Sequence, residues 1–236
     1  MSFFKPLLQD NRKALILWLA AAILLLLKMY EGDYKFFVKH FEGIAISEEW
    51  FKWLKWLWHH GASLLIFCIL PMLVIRLGFK EKLADYGWTL GDWRFGLKAT
   101  AITFLILPIP LYLSAQDPNH AGWYLNHFPF QLMKQGPMWV ALWALTYLPH
   151  YIGWEFFFRG FLQFGIKKHY GVAAAILVPA ILTVLMHIGK PEGESWGALI
   201  GGIYLGLLAL RTRSMVYPLI FHWYSGMLNT IFVGII

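Results

Sequence analysis

The sequence predicts an all-α, polytopic membrane protein of about seven transmembrane helices, and three observations predict it. Of the 236 residues, 59% are apolar and only 14% charged, against roughly 45–50% and 25% in soluble domains. Seven apolar runs, 14–30, 57–75, 97–115, 138–153, 172–187, 196–210 and 215–236, approach or reach the roughly 17–25 residues that cross a hydrocarbon core of about 30 Å. Twenty Lys and Arg against thirteen Asp and Glu leave a formal charge of +7, gathered in short clusters between the runs rather than in a basic tail. That pattern speaks against nucleic-acid binding and for a bilayer as the partner.

The first run follows Lys5, Arg12 and Lys13 like the basic end of a leader. It closes at Lys28-Met29-Tyr30 with no small-residue cleavage site, so it reads as an uncleaved anchor. Basic residues recur at the N-terminus, over 76–98, at Lys167 and Lys168, and at Arg211 and Arg213. The positive-inside rule then sets the N-terminus in the cytoplasm and the C-terminus outside, with the five Lys of 28–55 as the misfit. Before the second run, Ser47 can cap a helix whose first turn holds Glu48 and Glu49. Trp50, Trp53, Leu54 and Leu57 share one of its faces, with Lys52, Lys55 and His59 on another. Two readings fit equally, a helix lying in the membrane interface or an aromatic belt anchoring the span.

The fourth run continues through Glu155 towards Ile166 as one long helix broken near Pro149 and Gly153. In the sixth, Gly197 with Gly201 and Gly202 with Gly206 have the spacing that lets membrane helices approach closely. Cys68 is the sole cysteine, which excludes an internal disulfide and a thiolate metal cluster. No repeat or linker divides the chain. It reads as one membrane domain, with N-terminal helices and an interfacial segment over 1–135 and a core over 136–236.

Ionisable residues inside apolar runs are costly and count as functional candidates. Here they concentrate in the last hundred residues as Glu155, Arg159, His187 and His222. Glu155 and Arg159 stand four apart with the acid first, the favourable order on a helix face. A purely structural salt bridge is as good a reading of that pair alone. Two His on further helices add an imidazole chemistry that can deprotonate a water beside an electrophile. Arg159 or the amide of Asn229, on the same stripe as His222, can then stabilise an oxyanion. His59, His60 and His150 read as structural. If the chain turns at Lys167-Lys168, Glu155 and His187 lie about 18 Å and about 28 Å from one membrane face, so a tilt or break must bring them level.

The segment Trp154-Glu155-Phe156-Phe157-Phe158-Arg159-Gly160 resembles the first motif, Glu-Glu-x-x-x-Arg, of the CAAX protease and bacteriocin-processing (CPBP, or Abi) family of intramembrane endopeptidases. Thr183-Val184-Leu185-Met186-His187 matches the second motif at its His. His222 matches the third, His-x-x-x-Asn, with Gly226 at the Asn position. The resemblance runs from about Trp139 to the C-terminus with motif order and spacing kept, and residues 85–91 resemble the region ahead of the family's core helices. It implies a helical bundle around a polar cavity in which a Glu and a His activate water while a second His and an Asn face the oxyanion.

Carried onto this chain, those roles fall to Glu155 and His187 for water and to His222 and Asn229 for the oxyanion. Arg159 holds Glu155, and Trp154 and Phe158 lie beside the substrate. Trp154 stands where the family's water-activating Glu is usual. Either Glu155 takes over, or Glu192 or Glu194 reaches the site, or the protein binds without cutting. The resemblance requires no cofactor and no metal. Two His and a Glu would also suit zinc, but there is no His-Glu-x-x-His helix, so metal-independent catalysis ranks first.

The implied substrate is a membrane-embedded or lipidated peptide. Family members include endopeptidases that remove the last three residues of prenylated proteins, and bacterial relatives linked to bacteriocin processing or immunity. The implied location is a bacterial inner or plasma membrane. The competing reading is a non-catalytic scaffold or immunity protein whose water site is filled by Trp154. A transporter with His187 and His222 as a proton relay fits less well, because no half of the chain is repeated.

Overall fold

The computed structural model describes residues 12–235, so the expectations for Lys5, the N-terminal leader and Ile236 lie outside the described residues. Among these every regular element is helical. The helices are α1 (Arg12–Tyr30), α2 (Tyr34–Phe41), α3 (Glu48–Phe79), α4 (Trp93–Ala115), α5 (Pro118–His127), α6 (Pro137–Leu185), α7 (Glu192–Thr212) and α8 (Val216–Gly234). Five of them, α1, α3, α4, α6 and α7, are long and apolar enough to cross a membrane. α8 has the length of α1 but carries His222, Ser225, Asn229 and Thr230.

Two of the seven expected runs, 138–153 and 172–187, fall within α6, a 49-residue helical stretch. Drawn straight it would reach about 74 Å, more than twice a hydrocarbon core. It is folded instead at Gly171, whose φ of 80° and ψ of −177° suit only a residue without Cβ. Trp154 stands seventeen residues before Gly171 and His187 sixteen after it, about 25 Å along each limb. Their rings meet, with centroids 5.8 Å apart. The mismatch expected from a turn at Lys167-Lys168 disappears, because the helical backbone runs past both lysines. Nor does α6 break at Pro149 or Gly153. The irregularity comes later, as a wide π-helical turn over Phe156–Leu162, and Gly153 instead admits the Ser63 backbone of α3 against it.

Ser47 caps α3 as expected, accepting from the Trp50 amide at 3.5 Å, while Lys52 bridges Glu48 at 2.8 Å and Glu49 at 3.1 Å. The capped segment continues into the span, and its buried face is Trp53, Trp56, His60 and Ser63, with Lys55 buried as well. These aromatic residues pack with Phe128, Trp143 and Tyr147 from α6 and the chain before it, so protein rather than lipid takes up that face. A second core joins Leu17, Phe67, Phe156, Phe157, Phe161 and Leu162. In a bilayer such packing stabilises chiefly through van der Waals contact. Of the α7 glycines, Gly202 and Gly206 lie against Ala180, Thr183 and Ile176 on the second limb of α6, whereas a Cβ at Gly197 or Gly201 would meet nothing within 4 Å.

Residues 80–92 close one end of the molecule. Glu81 accepts from Lys13 at 2.9 Å, Lys168 at 3.0 Å and Tyr86 at 2.6 Å. Trp88 stands edge-on to Phe156, 5.4 Å away.

Candidate active site

The wide turn of α6 follows directly on Glu155 and contains Arg159; such turns are frequent at functional sites. Glu155 is fully buried. Its Oε1 accepts from Arg159 Nη1 at 3.3 Å and from His222 Nδ1 at 2.6 Å, and its Oε2 has no partner. A carboxylate only accepts, so His222 donates through Nδ1 and the neutral ring keeps its lone pair on Nε2. His222, 24% exposed at its side chain, lines a cavity of about 710 Å³ whose wall includes Trp154, Arg159, His187, Tyr151 and Asn229. His187 donates from Nδ1 to the Thr183 carbonyl at 2.7 Å, so its Nε2 is an acceptor too. Trp154 touches both rings nearly edge to face, 5.8 Å from His187 and 6.4 Å from His222.

The structure therefore brings Glu155, Arg159 and His222 together, with His187 and Trp154 on the same cavity wall. Phe158 is not there. It is wholly buried in the apolar core against Phe67, 5.8 Å away, and Trp154, because the wide turn rotates it inward. Asn229 lines the cavity but two turns beyond His222, and its Oδ1 accepts from His120 Nε2 at 2.7 Å. A shared stripe fixes azimuth, not height, and seven residues are about 10 Å of rise. At Gly226, one turn from His222, a Cβ would overlap the phenol of Tyr151, whose ring centroid is 4.8 Å from that of His222. The side-chain space that glycine leaves on α8 is filled by a tyrosine hydroxyl from α6.

Of the loop acids, Glu194 reaches the cavity, whereas Glu192 turns outward to the Trp196 indole at 3.1 Å. Burial works against the charge of Lys190, but Glu194 at 3.1 Å more than offsets it and holds the ammonium above its ordinary range. His60 is structural, stacked on Tyr147 at 4.7 Å. His59 and His150 line the cavity with Lys28, whose Nζ lies 3.1 Å from His59 Nδ1. His120 and Lys28 went unmarked in the sequence. Lys28 sits at the polar end of an apolar run, where a lysine is ordinary, and no local pattern singles out His120.

His222 Nδ1 and Glu155 Oε1 are committed to each other, Glu155 Oε1 also holds Arg159, and among the described residues no three His, Cys, Asp or Glu side chains gather as metal ligands.

A family model described as type II CAAX prenyl endopeptidase Rce1-like matches residues 136–228. No curated protein and no solved structure matches the chain. The matched stretch holds Glu155, Arg159, His187 and His222, and with the five apolar helices it makes the chain an integral membrane protein set in a lipid bilayer. Over residues 136–228 the chain is similar to the CAAX prenyl endopeptidases.

Proposed function

We propose that the protein is an intramembrane endopeptidase that hydrolyses a peptide bond in a membrane-embedded or lipidated substrate, with no metal. The observation that carries this reading is the 2.6 Å bond from His222 to Glu155 beside the cavity. It orients an imidazole with its basic Nε2 free, the arrangement by which a buried carboxylate supports a general-base histidine. In the proposed reaction His222 Nε2 takes a proton from water and the hydroxide attacks the carbonyl carbon. The C–N bond then breaks, and the proton passes to the leaving amine. His187, facing the same space, holds the water or that amine.

Glu155 acts through His222, since it has no surface on the cavity. Arg159 neutralises its charge. Tyr151, over Gly226, supplies a hydroxyl towards the developing oxyanion in place of an amide side chain. The basic clusters support an N-terminus on the cytoplasmic side of a bacterial inner or plasma membrane.

The test is kinetic, on protein reconstituted in liposomes with a fluorogenic prenylated peptide. His222→Ala is expected to lower kcat by about 10²–10⁴, the range of a lost general base. Tyr151→Phe is expected to lower it by about 10²–10³, the range of a lost oxyanion donor. Undiminished cleavage by His222→Ala, or an inert unsubstituted protein, overturns the reading.

A further inference from the structure

Five polar side chains on the cavity wall keep a buried atom without a partner; two, Trp154 Nε1 and Arg159 Nε, belong to the site already described, and three lie apart from it, His120 Nδ1, Asn229 Nδ2 and Glu194 Oε1. They come from three helices, α5, α8 and α7. His120 and Asn229 are 4% and 5% exposed, so bulk water does not satisfy them. Their orientations are fixed from behind. His120 Nε2 donates to Asn229 Oδ1 at 2.7 Å, which turns the Nδ1 lone pair and the Nδ2 hydrogens to other partners. Lys190 holds Glu194 Oε2 at 3.1 Å, and the free Oε1 lies 4.0 Å from His120 Nδ1. Buried polar groups left unpaired are rare and each calls for a partner. Three at one cavity, each anchored through its other atom, call for a ligand.

The pattern names the ligand's chemistry. Two acceptors 4.0 Å apart suit a single N–H placed between them, and a donor beside them suits a carbonyl oxygen. A group carrying both is a peptide amide.

We infer that His120, Asn229 and Glu194 form a main-chain clamp for the peptide substrate: one substrate N–H is shared by Glu194 Oε1 and His120 Nδ1, and a substrate carbonyl accepts from Asn229 Nδ2. The clamp binds backbone rather than side chains, so it fixes register without selecting sequence. It rests on the proposed function for the ligand being a peptide, but binding is separable from cleavage. His120 and Asn229 both lie outside the stretch that the family model matches.

The experiment measures binding of a fluorescent prenylated peptide, and of analogues N-methylated at one amide at a time, to full-length protein carrying His222→Ala in nanodiscs. The expected result is one amide position at which N-methylation weakens binding at least tenfold. In the added double substitution His120→Phe/Asn229→Leu, which removes both ends of their mutual bond, that position is expected to lose its penalty. Binding that tolerates N-methylation everywhere, or a penalty that survives the double substitution, overturns the clamp. An unsubstituted protein that shows the penalty but never cleaves overturns the protease reading and leaves the clamp standing. A protein that binds no peptide overturns both.

Discussion

Glu155 holds two cationic or donating neighbours with one oxygen, and this predicts how its removal fails. In Glu155→Ala the Arg159 guanidinium is left buried and unpaired, at a cost of about 3–5 kcal/mol. Chemical denaturation in detergent checks it. Replacing both partners, Glu155→Leu with Arg159→Met, is expected to recover most of that stability and none of the activity, which separates positioning from folding. The Glu155–Arg159 pair was legible in the sequence because four residues on a helix are neighbours in any fold. The bond from Glu155 to His222 spans 67 residues. Only its chemistry, two ionisable groups inside apolar runs, hinted at it. The phenol of Tyr151 over Gly226 had no such hint, since neither residue is charged and the overlap exists only once α6 and α8 pack.

The hairpin in α6 makes the catalytic proposal geometrically feasible, because it sets His187 level with Trp154. Its corner is the backbone of Gly171. Gly171→Ala forces a Cβ into a region that only glycine adopts, at a cost of about 1–3 kcal/mol. The expected result is a lowered melting temperature together with a lowered kcat, as His187 loses its height relative to Trp154. An unchanged kcat would detach His187 from the reaction. Hydropathy located both limbs, as the runs 138–153 and 172–187. It did not locate the corner, because Lys167 and Lys168 are the charge signal but lie on the helical surface, whereas the chain reverses at an uncharged glycine three residues on. At the start of α3 a face of Trp and Leu reads the same whether lipid or neighbouring aromatic residues cover it; Trp53 is covered by Trp139 and Trp143, more than eighty residues away, while Trp50 and Leu57 stay exposed.

Across the whole molecule the all-helical membrane architecture was readable from composition and run length alone. The apolar runs are real helices, but two share one continuous stretch and the last is polar enough to fall outside the five clear spans. Glu81 ties α1, the 80–92 segment and α6 at one end. Partial burial pushes its carboxyl up, yet hydrogen bonds from Tyr86, Lys13 and Lys168 prevail and hold it down, from an ordinary 4.5 to about 2. A depressed carboxyl stabilises the folded state fully above its unfolded value, and that contribution is lost as pH falls from about 4.5 to about 2. Thermal melts in detergent between pH 7 and pH 2.5 are expected to show Glu81→Gln less stable at pH 7 and converging on the unsubstituted protein at the acid end. Parallel melting curves would contradict this role of Glu81.

If a water activated by His222, held by Glu155, cuts a peptide inside the bilayer, the oxygen of that water must appear in the product. The most direct measurement is mass spectrometry of a prenylated peptide incubated with the liposome-embedded protein in ¹⁸O-water. The expected result is a product whose new carboxyl terminus carries one ¹⁸O atom, formed by the unsubstituted protein and lost in both His222→Ala and Glu155→Gln. An intact peptide, or labelled product made equally well by those two variants, would contradict it.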